Sequence, residues 1–339
     1  MIRYLRIRRI RAGFTLIELM VVMALTMFIM AVLAQSFGTG LDTFRSLKGI
    51  GDLQDGLRTA TTIIRSDLTQ DHFEGKRRLS DPNFWQTPVR EGFFAIRQGS
   101  NSTDEGADSD NLRSQRAVDH VLHFSVKLRG NRKENFFYAN VPPTSVLLSK
   151  TSNLGVQPFD GTYIDQANAI YGSQWAEVAY FLVKTGTVIT PENPTGPGTP
   201  LYSLYRCQLI GVPASTSVNN QEPGQIASYG SMSCYQDTAT SKQCFYTPND
   251  WSQGKRRIDP NPATIPTNFQ PLSSLVLQNV VSFQVQGLKS PSVTGQFEDV
   301  TSFDTTANPA YLLQAVQVTL RVFDTATRQV RQVTVVQDL

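Results

Sequence analysis

Glu18 is the residue whose setting first asks for chemistry. It stands about one helical turn inside RAGFTLIELMVVMALTMFIMAVL (residues 11–33), and no other charge occurs between Phe14 and Leu33. A lone carboxylate in hydrocarbon is costly unless it meets a partner or takes up a proton, so the position asks for an opposite charge. Few other residues are typed and spaced for chemistry. His120 and His123 form an HxxH, which on a helix would aim both rings at one metal. The surrounding alternation predicts a strand instead, where residues three apart face opposite sides, with His120 partly buried and His123 exposed.

STDEGADSDN (102–111) gathers Asp104, Glu105, Asp108 and Asp110 in one loop. Hard carboxylate oxygens suit calcium, but the twelve-residue EF-hand spacing is missing, and a solvated acidic loop is the alternative. Cys234 and Cys244 are spaced to close a short disulfide loop in an oxidising compartment, and zinc is the rival reading, with no histidine near them. Cys207 alternates with Tyr205 and Leu209 and reads as a buried free thiol. Two GKRR runs, at 75–78 and 254–257, are either phosphate or headgroup contacts or solvated loops. There is no GxSxG, Walker loop, HExxH or identifiable carboxylate pair, so nothing makes a positive case for an enzyme or a cofactor.

The element that positions Glu18 is the apolar run itself. Twenty residues from Phe14 to Leu33 are long enough to cross about 30 Å of hydrocarbon as a helix, and longer than the apolar core of a cleaved secretory signal. Arg3, Arg6, Arg8, Arg9 and Arg11 precede it, so the positive-inside rule places the N-terminus in the cytoplasm and the body outside. The formal charge of +3 belongs to that leader. Without residues 1–13, Lys+Arg falls to 26 against 28 Asp+Glu, about −2, which gives no support for nucleic-acid binding.

Arginines, then Gly13-Phe14-Thr15-Leu16-Ile17-Glu18-Leu19, then the apolar helix, resemble the N-terminal signature of type IV prepilins and type II secretion pseudopilins. The resemblance implies cleavage between Gly13 and Phe14 by a prepilin peptidase, N-methylation of Phe14, and an assembly role for Glu18. Cleavage creates an ammonium at Phe14, and Glu18 of one subunit paired with that ammonium on a neighbour would fix axial register. LQDGLRTATTIIRSDLTQ (53–70) looks like the minor pseudopilin J of type II secretion or the PilW-type minor pilin, and DHVLHFSV (119–126) resembles their strands. What the likeness implies is a minor subunit at the tip of a pseudopilus or pilus. Its partners would be other pilins, the peptidase and an inner-membrane assembly platform. A tip adhesin or DNA-uptake subunit, with residues 186–271 as the contact surface, is the alternative.

Leu53, Leu57, Ala60, Ile64 and Leu68 recur at helical spacing, so the helix is expected to continue to about Asp71, with Gly38, Gly40, Gly49, Gly51 and Gly56 weakening its middle. Beyond residue 72 the period becomes two, as in VDHVLHFSVKLR (118–129). AVQVTLRVF (315–323) and QVRQVTVVQ (329–337), joined by DTATR, make a hairpin. Residues 186–200 hold four prolines and three glycines, and 211–271 reads as an irregular excursion from the core. The expected fold class is α+β, a long N-terminal helix packed on an antiparallel sheet. The expected order is a leader (1–13), a membrane helix (14–37), its outer half (38–72) and a β-rich domain (73–339).

Overall fold

The computed structural model describes residues 15–99, 118–148, 161–189, 199–213, 221–223, 226–259, 261–291, 295–307, 309, 311–325 and 328–339. The chain divides into two compact units, Met1–Asp52 and Leu53–Leu339. Helix α1 (Leu16–Leu68, 53 residues) belongs to both, with a rise of roughly 80 Å at about 1.5 Å per residue. The glycines expected to weaken its middle do not interrupt it. Once a long helix has nucleated, a propensity loss of about 1 kcal/mol at single positions is absorbed by neighbouring turns.

In the first unit the large apolar side chains of α1 are exposed from Leu16 through Leu33, and Phe37, Leu41, Phe44 and Leu47 continue this beyond the membrane-length run. In the second unit the last turns of α1 bury Leu57, Ala60, Ile64 and Leu68, one stripe at spacings of three and four. Each fully buried Leu or Ile contributes about 1.5–3 kcal/mol, enough to hold this end on the sheet. Gly56 lets the helix come close, since a Cβ there would stand 3.2 Å from Leu277 Cδ1.

The strands are β1 (Phe94–Gln98), β2 (His120–Lys127), β3 (Phe137–Asn140), β4 (Thr162–Asp165) and β5 (Ile170–Ser173). They continue as β6 (Trp175–Ile189), β7 (Thr199–Ile210), β8 (Gln221–Pro223), β9 (Cys234–Gln236) and β10 (Lys242–Phe245). The last are β11 (Ser273–Ser290), β12 (Phe297–Asp299), β13 (Ser302–Asp304), β14 (Leu312–Asp324) and β15 (Gln329–Asp338). Nine of them form one antiparallel sheet in the order β13-β1-β2-β6-β7-β11-β14-β15, with β12 on β11. The expected hairpin is β14–β15, in register from Asp324↔Gln329 to Ala315↔Asp338. The architecture is α+β, as the sequence pattern predicts.

Both faces of this sheet are covered, which the alternation did not foretell. Phe94, Leu122, Phe124, Val178, Tyr180, Leu204, Phe283 and Val318 share a core with the buried stripe of α1. On the reverse face Val121, Ala179, Phe181, Cys207 and Leu209 lie under Ile258, Ile265 and Phe269, so the described part of the excursion is a second layer. It carries β9, β10 and two short helices, α2 (Pro248–Ser252) and α3 (Ile265–Phe269). Thr247 and Asp250 form a reciprocal capping box on α2. Trp251, fully buried, lies against Gly211, where a Cβ would meet the indole at 2.3 Å. β2 is consequently buried at seven of its eight positions, polar ones included.

Candidate functional site

At the start of α1, Thr15 and Glu18 bond each other. Glu18 Oε2 accepts from the Thr15 backbone N and from Thr15 Oγ1, both at 3.0 Å, and Thr15 Oγ1 accepts from Glu18 N at 3.3 Å. This reciprocal T-x-x-E capping box satisfies donors that the first helical turn leaves open. Reading Glu18 for its charge alone missed this second role, although the Thr15-x-x-Glu18 spacing ahead of an apolar run was the signal. Gly13 and Phe14 lie outside the described residues, as do Asp104, Glu105, Asp108 and Asp110. Among the described residues no three His, Cys, Asp or Glu side chains gather to hold a metal ion.

At the other end of α1 a second acid ties the helix to the sheet. Asp67 accepts from Arg206 Nε at 2.7 Å, from a terminal guanidinium nitrogen of Arg206 at 3.1 Å, and from the Tyr180 hydroxyl. Burial, together with the Asp67 charge, keeps the Tyr180 phenol far above its ordinary range and so protonated. The arrangement locks the rotation of the last turn over β6 and β7, where α1 is already packed by its apolar stripe.

The sequence-predicted residues of the β domain are placed as follows. His120 and His123 face opposite sides of β2, as the strand period requires, but both are buried, His120 rather than partly so and His123 rather than exposed, because both faces of the sheet are covered. Cys207 is a buried free thiol, and burial pushes it up to about 12. The expected Cys234–Cys244 disulfide is not formed, and both are buried free thiols. Their strands explain it. Cys234 is opposite Phe245 and Cys244 opposite Tyr235, so the two sulfurs leave the ladder on opposite faces.

The GKRR runs are internal clamps. Arg77 donates to the carbonyls of Phe84, Thr87 and Pro88. Arg257 donates to those of Tyr229, Gly230 and Met232. Arg256 pairs with Asp304 at 2.8 Å and lies 3.9 Å from the Phe93 ring centroid. Burial would raise the Asp304 carboxyl, but the Arg256 hydrogen bond and charge outweigh it and hold it at about 2.

One buried cluster has the residue types of a nucleophilic triad. Glu177 Oε1 lies 3.0 Å from His123 Nε2, its Oε2 accepts from Ser233 Oγ, and Ile258 N donates to Oε1 at 3.0 Å. Here the carboxylate sits between serine and histidine, so Ser233 donates its hydrogen bond to Glu177 and none to the imidazole, which is not the order of a nucleophilic triad. Sequence reasoning missed Glu177 altogether. It alternates with Ala176 and Val178 in WAEVAYF and reads as an outward polar position.

The comparison with protein families agrees with the geometry of α1. Residues 8–34 match the family model described as the prokaryotic N-terminal methylation motif, so the chain carries a type IV pilin-like prepilin signal at the head of this helix. That signal heads a helix long and apolar enough to cross a membrane. Neither a curated protein nor a solved structure matches the chain.

Proposed function

We propose that this chain is a minor pilin or pseudopilin that assembles through α1 into the tip of a type II secretion pseudopilus or type IV pilus, and that it is a structural subunit rather than an enzyme. The observation that carries the reading is the membrane-length run of exposed apolar side chains behind the prepilin signal, with one acid, Glu18, at its head. A leader removed between Gly13 and Phe14 leaves an ammonium at Phe14. The helix then spans the inner membrane once, with the β domain on the outer side, until a platform extracts it into the filament. Its partners are other pilins, the prepilin peptidase and that platform. The packed second layer on the sheet accounts for the described part of the excursion as cover, which favours this reading over a dangling adhesive loop.

The capping box gives Glu18 two separable roles. Glu18→Gln keeps the cap, because glutamine serves in the same motif, but it removes the charge that a neighbour's Phe14 ammonium would meet. Co-purification of processed protein with its partner subunits distinguishes them. Loss of complex in both Glu18→Ala and Glu18→Gln, with normal processing, supports charge pairing. Wild-type complex in Glu18→Gln would show that the carboxylate only caps its helix.

A further inference from the structure

We propose that Glu177 and His123 form an acid-released latch that holds residues 231–258 on the reverse face of the sheet. The segment meets the Glu177 carboxylate at both of its ends. Ser233, beside the start of β9, gives its hydroxyl to Oε2, and Ile258, past α2, gives its backbone N–H to Oε1. Trp251, between them, donates its indole N–H to Ser233 Oγ at 3.2 Å. One side chain of β6 therefore fastens the start and the end of the cover.

His123 completes the acceptor's set from the sheet side. A carboxylate only accepts, so the His123 proton resides on Nε2. Nδ1 has no hydrogen-bond partner among the described residues. A second proton would place an unpartnered N–H in a fully buried site, beside the Phe93 ring. The charged and titratable groups that bear on His123 besides Glu177 are Arg256, which opposes protonation, and Asp304, which favours it. Those that feel Glu177 are Cys207 on β7, Cys234 on β9 and Tyr246 after β10. The neighbouring Arg256–Asp304 pair keeps its charge through the mildly acidic range, because Asp304 titrates only near 2.

The sign follows from linkage. Burial holds His123 neutral below its ordinary value near 6.5, against the pull of Glu177. Opening the cover admits water and restores that value, so opening takes up a proton as pH falls through about 6.5, and the gain approaches about tenfold per pH unit below that. The other two histidines do not contribute to this step. His72 bonds Ser125 O and lies between Phe94 and Phe124 beside α1, and His120 Nδ1 accepts from Val285 N. Both stay covered when residues 231–258 lift.

The free cysteines supply the reporter. Cys234 lies in the cover and Cys207 beneath it, both fully buried. The full chain in detergent is treated with a pyridyl disulfide that reacts at acidic pH, labelled sites are read by peptide mass, and each rate is divided by that of the urea-unfolded chain. The expected result is a Cys234 rate that rises about fivefold from pH 6.5 to 5.5 while far-UV circular dichroism is unchanged. His123→Gln, which keeps a donor but cannot titrate, should flatten that slope. Glu177→Gln should reach the acid rate already at neutral pH. A flat wild-type profile overturns the proposal even if either variant misfolds. An unchanged slope in folded His123→Gln, or labelling that appears only together with global unfolding, overturns it as well.

Discussion

Asp67→Ala would test how the pilin-like helix is held to its domain. The Asp67 and Arg206 side chains are 12% and 18% exposed, so solvent screens their pair little. Truncating the acid leaves a mostly buried guanidinium without its carboxylate and the buried Tyr180 hydroxyl without its acceptor. Removing one partner of a buried pair costs about 3–5 kcal/mol, and Arg206 keeps its bond to Gln208 at 2.7 Å and its hydrogen bond with the Tyr180 hydroxyl, which moves the expectation toward the lower end. Urea unfolding followed by tryptophan emission reads the right region, since Trp85, Trp175 and Trp251 all lie in the second unit. The expected result is a loss of about 3 kcal/mol with unchanged m. The double variant Asp67→Leu, Arg206→Met should recover most of the loss, because an apolar pair of similar volume pays no desolvation. A loss below about 1 kcal/mol for Asp67→Ala would mean an ordinary surface pair and refute the reasoning.

Two further outcomes follow from the buried groups. His72, His120 and His123 are all buried, and burial is the largest cause lowering each one's proton affinity, so the folded state keeps them neutral. Global stability is then fully present above pH 6.5 and declines as pH falls toward their depressed values, by up to about 4 kcal/mol per pH unit for three protons, as urea midpoints across that range will read. Cys234 and Cys244, leaving the β9–β10 ladder on opposite faces, should both appear as free thiols in mass spectra taken without reduction.

The sequence made α1 legible because two signals are local to it: an apolar run of membrane length and the stripe Leu57, Ala60, Ile64, Leu68. The β14–β15 hairpin was legible for the same reason, as alternation on both sides of one short turn. The reverse face was not. Its covering residues Trp251, Ile258, Ile265 and Phe269 stand singly among polar ones, with no period to announce a buried layer. Without that layer, Glu177 and His123 read as solvent-facing positions of half-buried strands. Spacing likewise brought Cys234 and Cys244 near each other along the chain, but only pairing register shows which face each occupies. The capping partner of Glu18 is legible too, since Thr15-x-x-Glu18 ahead of an apolar run has the capping-box spacing.

Prepilin processing is tested most directly at the N-terminus of the membrane-extracted protein, read by mass spectrometry of its first peptide. N-methylated Phe14 is expected as the first residue in the wild type. In Gly13→Val, where a side chain obstructs the peptidase's approach to the backbone, the leader is expected to be retained. A wild-type protein that keeps residues 1–13 in a cell with active prepilin peptidase, or a Gly13→Val protein trimmed like the wild type, would contradict cleavage at Gly13.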